Sequence, residues 1–367
     1  MKEKLYAIYF EPEDWLAFRE SRRFNPGDTA RTVFPSPFPF YGAIRTMLLK
    51  KYDVKLEYHQ KPNLSQELLR KIGDESQPGI IKLYGPFVYS ESEGKRKHYF
   101  PAPKNVYKCE NSGYKTMHLF DTKIKLNCFK IGLAWIPEVE GIKEVTESYI
   151  ELEELRKLQS GQSFVLCHAP NLIEEVKTGI ALEESVKRTK EGMLYFLRIY
   201  RFKNGGFFML TDSEETVKEI SKIEGVFLGS KQRWCRVKVE QFGGNIFQRI
   251  DSKNVAMMLL TPAVYDGGIV PKEGKFDDAI VKAIAATKKT VVSGWDYTSG
   301  KPKPIYHAVS PGTVYYLDKF PKDDETVVKQ SYYNEFGFGR FVYIPYENLK
   351  QCEGGEQNDE QSFLALC

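Results

Sequence analysis

The chain has 367 residues, with 53 Lys and Arg against 49 Asp and Glu, a formal net charge of +4 and an apolar fraction of 42%. That length supports two domains, each burying its own apolar face. The near balance of charge permits a polyanion partner without demanding one, so the placement of the positive residues decides the matter. No apolar run approaches the roughly 20 residues that a bilayer helix needs. The opening MKEKLYAIYF lacks the basic-then-apolar form of a signal peptide, which makes a cytoplasmic location the expectation.

In chain order, residues 4 to 10 (KLYAIYF) alternate as a strand should, and residues 38 to 52 carry apolar side chains at helical spacing. From about 53 to 175 the pattern breaks into short strands punctuated by Pro and Gly, such as IIKLYGPFVYSES and RKHYFPAPKNVY, with one helix at SYIELEELRKLQ. This stretch reads as a long insertion. GMLYFLRIYRF and GGFFML follow as two strands joined by KNGG, a turn tolerant of positive φ. The segment DSEETVKEISKIEG predicts a helix capped by Asp212 or Ser213, and VFLGSKQRWCRVKVEQF a strand or strand pair.

Without the insertion, the order is β-α-β-β-α-β, the ferredoxin-like arrangement. A second unit opens at NVAMMLLTPAVYD, with a helix expected at DDAIVKAIAATKK and strands at TVVSGWDY, KPIYHAV, TVYYLDKF and FVYIPY. The expected fold class is α+β. It comprises a first ferredoxin-like domain over 1–245 with its insertion at about 53–175, a shorter and degenerate second one over 246–350, and a polar tail over 351–367.

Four basic clusters stand out. FRESRRFNPGD places Arg19, Arg22, Arg23, Phe24 and Asn25 just after the first strand, where guanidiniums can grip phosphates in bidentate fashion. In LGSKQRW, Gly229 bends the chain and Ser230, Lys231, Gln232, Arg233 and Trp234 follow from the bend. ESVKRTKEG carries Lys187, Arg188 and Lys190. FGFGRFVYIPY carries Gly337, Gly339 and Arg340. The last is no dinucleotide fingerprint, because a strand and Pro345 follow it instead of a helix. It reads as a turn whose exposed amides and Arg340 could approach a sugar-phosphate backbone. Tyr and Phe beside such clusters suit base stacking.

Other chemistry is poorly supported. Cys109, Cys128, Cys167, Cys235, Cys352 and Cys367 form no close pair, so neither a zinc site nor a disulfide framework is indicated. His59, His98, His118, His168 and His307 lack metal-ligand spacing, and no cofactor is expected. His98, His168 or His307 could serve a metal-independent endoribonuclease as general acid or base, which is the alternative to a non-catalytic binding protein.

The strings FRESRRFNPGD, YGAIRTMLL, LYGPF, YFPAP, KRTKEGMLYFLRIYRF, LLTPAVYDGG, VSGWDYTSGKPKP and SPGTVYYL occur in order along nearly the whole chain. In this the sequence resembles the family of third subunits of the type III-B CRISPR (Cmr) effector complex, in the RAMP superfamily. The resemblance implies a non-catalytic subunit that grips the 5′ tag of the guide RNA (crRNA). It would dock on the large polymerase/cyclase-like subunit beside backbone RAMP subunits, with no membrane involved.

The implied RNA contacts are Arg19, Arg22 and Arg23, then Gly229 to Arg233, then Gly337 to Arg340, with Ser36 and Arg45 at the first helix as further candidates. Two departures matter. The bend reads Gly229-Ser230-Lys231 where the family often has Gly-Gly-Glu, and Phe38 and Pro39 replace a Ser-Thr pair that could hold a phosphate at a helix N-terminus.

Overall fold

The computed structural model describes residues 4–349 apart from 19–32, 58–59, 75, 127–128, 138–139, 170, 183–187 and 297–298. The described chain is strand-rich, with five α-helices: α1 (Phe38–Lys51), α2 (Gln66–Ile72), α3 (Leu152–Gln159), α4 (Glu214–Ile220) and α5 (Asp324–Lys329). Their N-termini follow the expected chemistry in most cases. Ser213 Oγ accepts the Thr216 amide at α4 and Asp323 accepts those of Glu325 and Thr326 at α5. At α1 the capping residue is Pro37, with Pro39 inside the first turn and no side-chain cap.

Two antiparallel sheets dominate. The larger has seven strands in the order Gly225–Leu228, Arg233–Gln241, Tyr6–Pro12, Gly205–Thr211, Tyr84–Ser92, Lys95–Pro101 and Tyr149–Glu151. The second has five, in the order Lys275–Phe276, Ala279–Ala285, Val314–Leu317, Val255–Leu259 and Phe341–Pro345.

Period-two alternation sends each strand's side chains to two different cores. In the first strand Ile8 and Phe10 join Phe40, Ile44, Leu48 and Ile220 under α1 and α4. Ala7 and Tyr9 face the other way and meet Ala256, Met258, Val314, Tyr316, Val342 and Ile344 of the second sheet. The second sheet repeats the device, with Met257, Tyr315, Leu317 and Tyr343 packing on Val327 and Val328 of α5. The layers are therefore helices, large sheet, second sheet, helix, with α3 contributing Leu152, Leu155 and Leu158 to the inter-sheet core.

Two sequence expectations are overturned. Gly205–Thr211 does not form a hairpin with Thr189–Phe202. It pairs with Tyr84–Ser92 on one side and Tyr6–Pro12 on the other, while Thr189–Phe202 pairs with Leu172–Leu182 in a separate two-stranded ribbon. The turn chemistry at KNGG is local, but an aromatic strand is claimed by whichever neighbour completes the buried sheet. The helix expected across 277–289 is instead the strand Ala279–Ala285, in which Ala279, Val281, Ala283 and Ala285 are buried and alternate with Ile280 and Lys282. Tertiary burial overrides the helix propensity of its three alanines.

Candidate nucleic-acid interface

Arg19, Arg22, Arg23, Phe24 and Asn25 lie outside the described residues, but the flanks of their segment are fixed. Phe18 is buried, and its carbonyl accepts the Val33 amide at 2.9 Å. On the inner side, Ala17 receives the Gly229–Gln232 bend, its carbonyl accepting the Ser230 amide at 2.8 Å. Gly229 has φ +67°, and a Cβ there would lie 2.7 Å from the same carbonyl oxygen, so only glycine allows this close packing. Lys231 and Gln232 also adopt positive φ and are exposed. The structure thus brings the basic bend against the root of the first basic segment.

Arg233 does not project as the sequence suggests. Its guanidinium lies 4.1 Å from the centre of the Trp15 ring and 3.4 Å from an Asp14 carboxylate oxygen, and its Nε is buried with no hydrogen-bond partner. Trp15 is only 6% exposed and has the Lys177 ammonium 4.7 Å from its ring centre. Asp14 also lies 3.6 Å from Arg201 of the ribbon, whose strand exchanges hydrogen bonds with Leu16 through Tyr200. Trp15 and Asp14 are the residues that sequence reasoning missed, since nothing local marks a tryptophan as the seat of an arginine 218 positions away. Trp234 is half-buried, edge-on to Phe227 at 5.0 Å. In the third cluster Lys187 lies outside the described residues, Arg188 is exposed at the ribbon's end, and Lys190 falls in the ribbon strand Thr189–Phe202.

The C-terminal glycine turn differs most from expectation. Gly337 and Gly339, at φ +84° and +70°, are buried, and their amides donate to Asn334 and Pro262 carbonyls at 2.9 and 2.8 Å. The Arg340 amide donates to Thr261 Oγ1, which in turn donates to the Gly337 carbonyl. The expected exposed amides are therefore spent inside the protein. The Arg340 guanidinium lies 4.0 Å from the Tyr84 ring centre, with its Nε buried and unpartnered. The turn clamps the second sheet to the strand that begins at Tyr84.

Helix α1 connects the clusters. Phe40 stacks on Phe18 at 6.2 Å, while Phe38 meets Phe336 and Phe338 at 5.5 and 5.0 Å. The Tyr41 hydroxyl donates to the Leu83 and Glu335 carbonyls, and burial pushes its pKa well up. Ser36 is half-buried just before this helix, and Arg45 is half-buried along it.

The titratable groups offer little reactive chemistry. The imidazole of His98 sits 2.8 Å from the Tyr9 hydroxyl among Phe208 and Phe242, and burial, followed by the charges of Arg96 and Arg156, lowers its pKa to about 4. Burial pushes the Cys167 and Cys235 thiols up to about 11 and about 12, which keeps them protonated. Among the described residues, no group of three or more His, Cys, Asp or Glu could hold a metal ion, and no helix is long and apolar enough to cross a membrane.

Two packed antiparallel sheets with helices on their outer faces define the class of protein to compare. Solved structures share this fold, two of them as follows. A chain of a type III-B Cmr-beta complex bound to cognate target RNA matches with a TM-score of 0.51 at 16% identity, covering 92% of this chain and 96% of its own. A chain of the same kind of complex bound to cognate target RNA and AMPPnP matches with a TM-score of 0.50 at 15% identity, covering 84% and 86%. No curated protein matches the sequence. The model of the CRISPR-associated protein family Cas_Cmr3 matches residues 8–345, and the chain belongs to that family.

Proposed function

We propose that this protein is a non-catalytic guide-RNA-binding subunit of a type III-B CRISPR effector, holding the 5′ tag of crRNA and docking on the large polymerase/cyclase-like subunit. The observation that carries the reading is the packing of the Gly229–Gln232 bend on Ala17. It sets exposed Lys231 and Gln232 beside Ala17, which in the sequence stands two residues before Arg19 and shortly before Arg22 and Arg23. Such a cluster holds a single strand by its phosphates, and Gln232 can read a splayed base edge.

The two sheets support a duplicated ferredoxin-like plan. Arg233–Gln241, Tyr6–Pro12, Gly205–Thr211 and Tyr84–Ser92 stand fourth, first, third and second in their unit. Phe341–Pro345, Val255–Leu259, Val314–Leu317 and Ala279–Ala285 repeat that order. Tyr84–Ser92, expected from the sequence to lie within the insertion at about 53–175, thus serves as the first unit's second strand in place of Thr189–Phe202. The burial of His98 and the protonated thiols favour a scaffold over the endoribonuclease alternative.

The test is binding of a tag-bearing single-stranded RNA at several salt concentrations, with Lys231→Ala and with Arg22→Ala/Arg23→Ala. Each lost phosphate contact should reduce the log-log salt slope by about 0.7. A slope unchanged in both variants refutes the proposed grip. Site-specific cleavage of the RNA that His168→Ala or His307→Ala abolishes would instead establish the nuclease.

A further inference from the structure

The hairpin carrying Trp295 takes no part in the grip described above, yet its side chains suit a single-stranded nucleic acid. Trp295 and Asp296 pair with Pro302 and Lys301. The hairpin's root is closed by the Lys303 amide donating to the Gly294 carbonyl at 2.8 Å and the Ser293 hydroxyl donating to the Lys303 carbonyl at 2.8 Å. This ladder holds Trp295 outward with 56% of its surface exposed, and Ile305 just beyond is 56% exposed as well. An indole has a large apolar face, so leaving half of it in water forgoes stabilisation that its own fold could have taken.

The surrounding charge identifies what would cover it. Residues 286–308 include Lys288, Lys289, Lys301 and Lys303 against the single acid Asp296. Lys288, Lys289 and Lys301 are exposed. Lys288 and Lys289 precede Thr290–Val292, which pairs with Tyr306–Ala308, and Lys301 stands across from Asp296. The positive charge is therefore spread along the two-stranded ribbon that ends in the Trp295 hairpin, and a polyanion carrying flat bases can follow that charge and stack on the indole. The hairpin is also joined to the proposed interface. The Lys303 ammonium lies 5.0 Å from the Phe38 ring centre and 5.9 Å from that of Phe336, which roots the hairpin on the N-terminal end of α1.

We infer that the Trp295 hairpin is a second contact for the same single-stranded RNA, with a base stacked on the indole and the lysines of this ribbon, Lys301 among them, neutralising the phosphates of the strand that passes over it. The inference rests on the RNA-binding reading and adds a site to it. It is tested on the full chain by fluorescence anisotropy with a short labelled single-stranded RNA at several salt concentrations. The proteins are wild type, Trp295→Ala, Trp295→Phe and Lys301→Ala, each checked by thermal melt. Trp295→Ala should weaken binding about 5- to 100-fold with the salt slope unchanged, Trp295→Phe should keep most of the affinity, and Lys301→Ala should reduce the slope by about 0.7.

Should Trp295→Ala melt early, photocrosslinking of iodouridine-substituted RNA to the wild type decides instead. An adduct at Trp295 supports the inference, and adducts confined to other segments overturn it. A wild type that binds RNA as tightly as both Trp295→Ala and Lys301→Ala overturns this inference alone and assigns the hairpin to a protein partner. A wild type that binds no RNA overturns the RNA-binding reading and this one with it.

Discussion

Replacing Gly337 by alanine separates a phosphate cradle from a structural clamp. The residue has φ +84°, and the added Cβ would lie 2.1 Å from the Leu83 carbonyl oxygen, far inside contact distance. The left-handed backbone costs an alanine about 1–2 kcal/mol. Relieving the overlap means shifting the Tyr84 strand or the turn, a form of overpacking that costs roughly 1–3 kcal/mol. The total is about 2–5 kcal/mol. An unfolding entropy of about 2.1 cal/mol/K per residue over a chain of this size converts it to a melting temperature lower by about 3–6 °C.

Gly94→Ala is the matched control, because Gly94 has φ +71° but nothing within 4 Å of its ideal Cβ. It should show the backbone cost alone, a fall of about 1–3 °C. Scanning calorimetry of the two variants and the wild type measures both costs. If Gly337→Ala melts no lower than Gly94→Ala, the clamp argument is wrong. If it also loses RNA affinity at an unchanged melting temperature, the turn touches RNA directly after all.

Three further outcomes are expected. His98 is held neutral by burial at a pKa of about 4, below its unfolded value of 6.5, so its contribution is complete above pH 6.5 and is lost as pH falls toward 4. The unfolding free energies obtained from urea titrations at pH 7 and 4.5 should therefore differ by less in His98→Gln than in wild type, by roughly 2–3 kcal/mol, and an equal pH loss in both proteins would contradict this. Asp14→Asn removes the carboxylate shared by Arg201 and Arg233, and hydrogen exchange in Leu172–Leu182 and Thr189–Phe202 should accelerate; unchanged exchange means the ribbon is held by Leu16 and Tyr200 alone. Ser213→Ala deletes the cap of α4 and should lower stability by about 1 kcal/mol without altering RNA binding, both readable from melts and titrations.

The sequence made legible what depends on neighbours within a turn or a strand. Ser213 could be named as a candidate cap from its own segment, and the strands at Tyr6–Pro12, Val314–Leu317 and Phe341–Pro345 followed from apolar content and β-branched or aromatic residues. It failed where a distant partner decides. Ala279–Ala285 carries helix-favouring alanines, and only the buried faces on both sides of the second sheet select the two-residue period. Gly205–Thr211 has a ready turn before it, yet its ladder partner is 115 positions upstream, as the pairing of Gly205 with Ser90 shows. The charge of Arg233 was visible, while its seat on Trp15 was not.

The glycine turn marks the deeper limit. A backbone that must approach a phosphate and a backbone that must approach a neighbouring carbonyl demand the same residue, since both require the missing Cβ and a positive φ. Gly337 satisfies the demand against Leu83, inside the protein. The functional consequence is indirect but physical. By fixing Phe336 and Phe338 on Phe38, and Tyr41 on the Leu83 and Glu335 carbonyls, the turn anchors the start of α1. The same helix supports Phe18 through Phe40 and the Trp295 hairpin through Phe38 and Lys303. A strand of RNA lying across the bend and the hairpin would then meet a surface whose spacing is set by buried aromatic contacts, and a subunit that fixes the register of a guide needs a constant spacing of that kind.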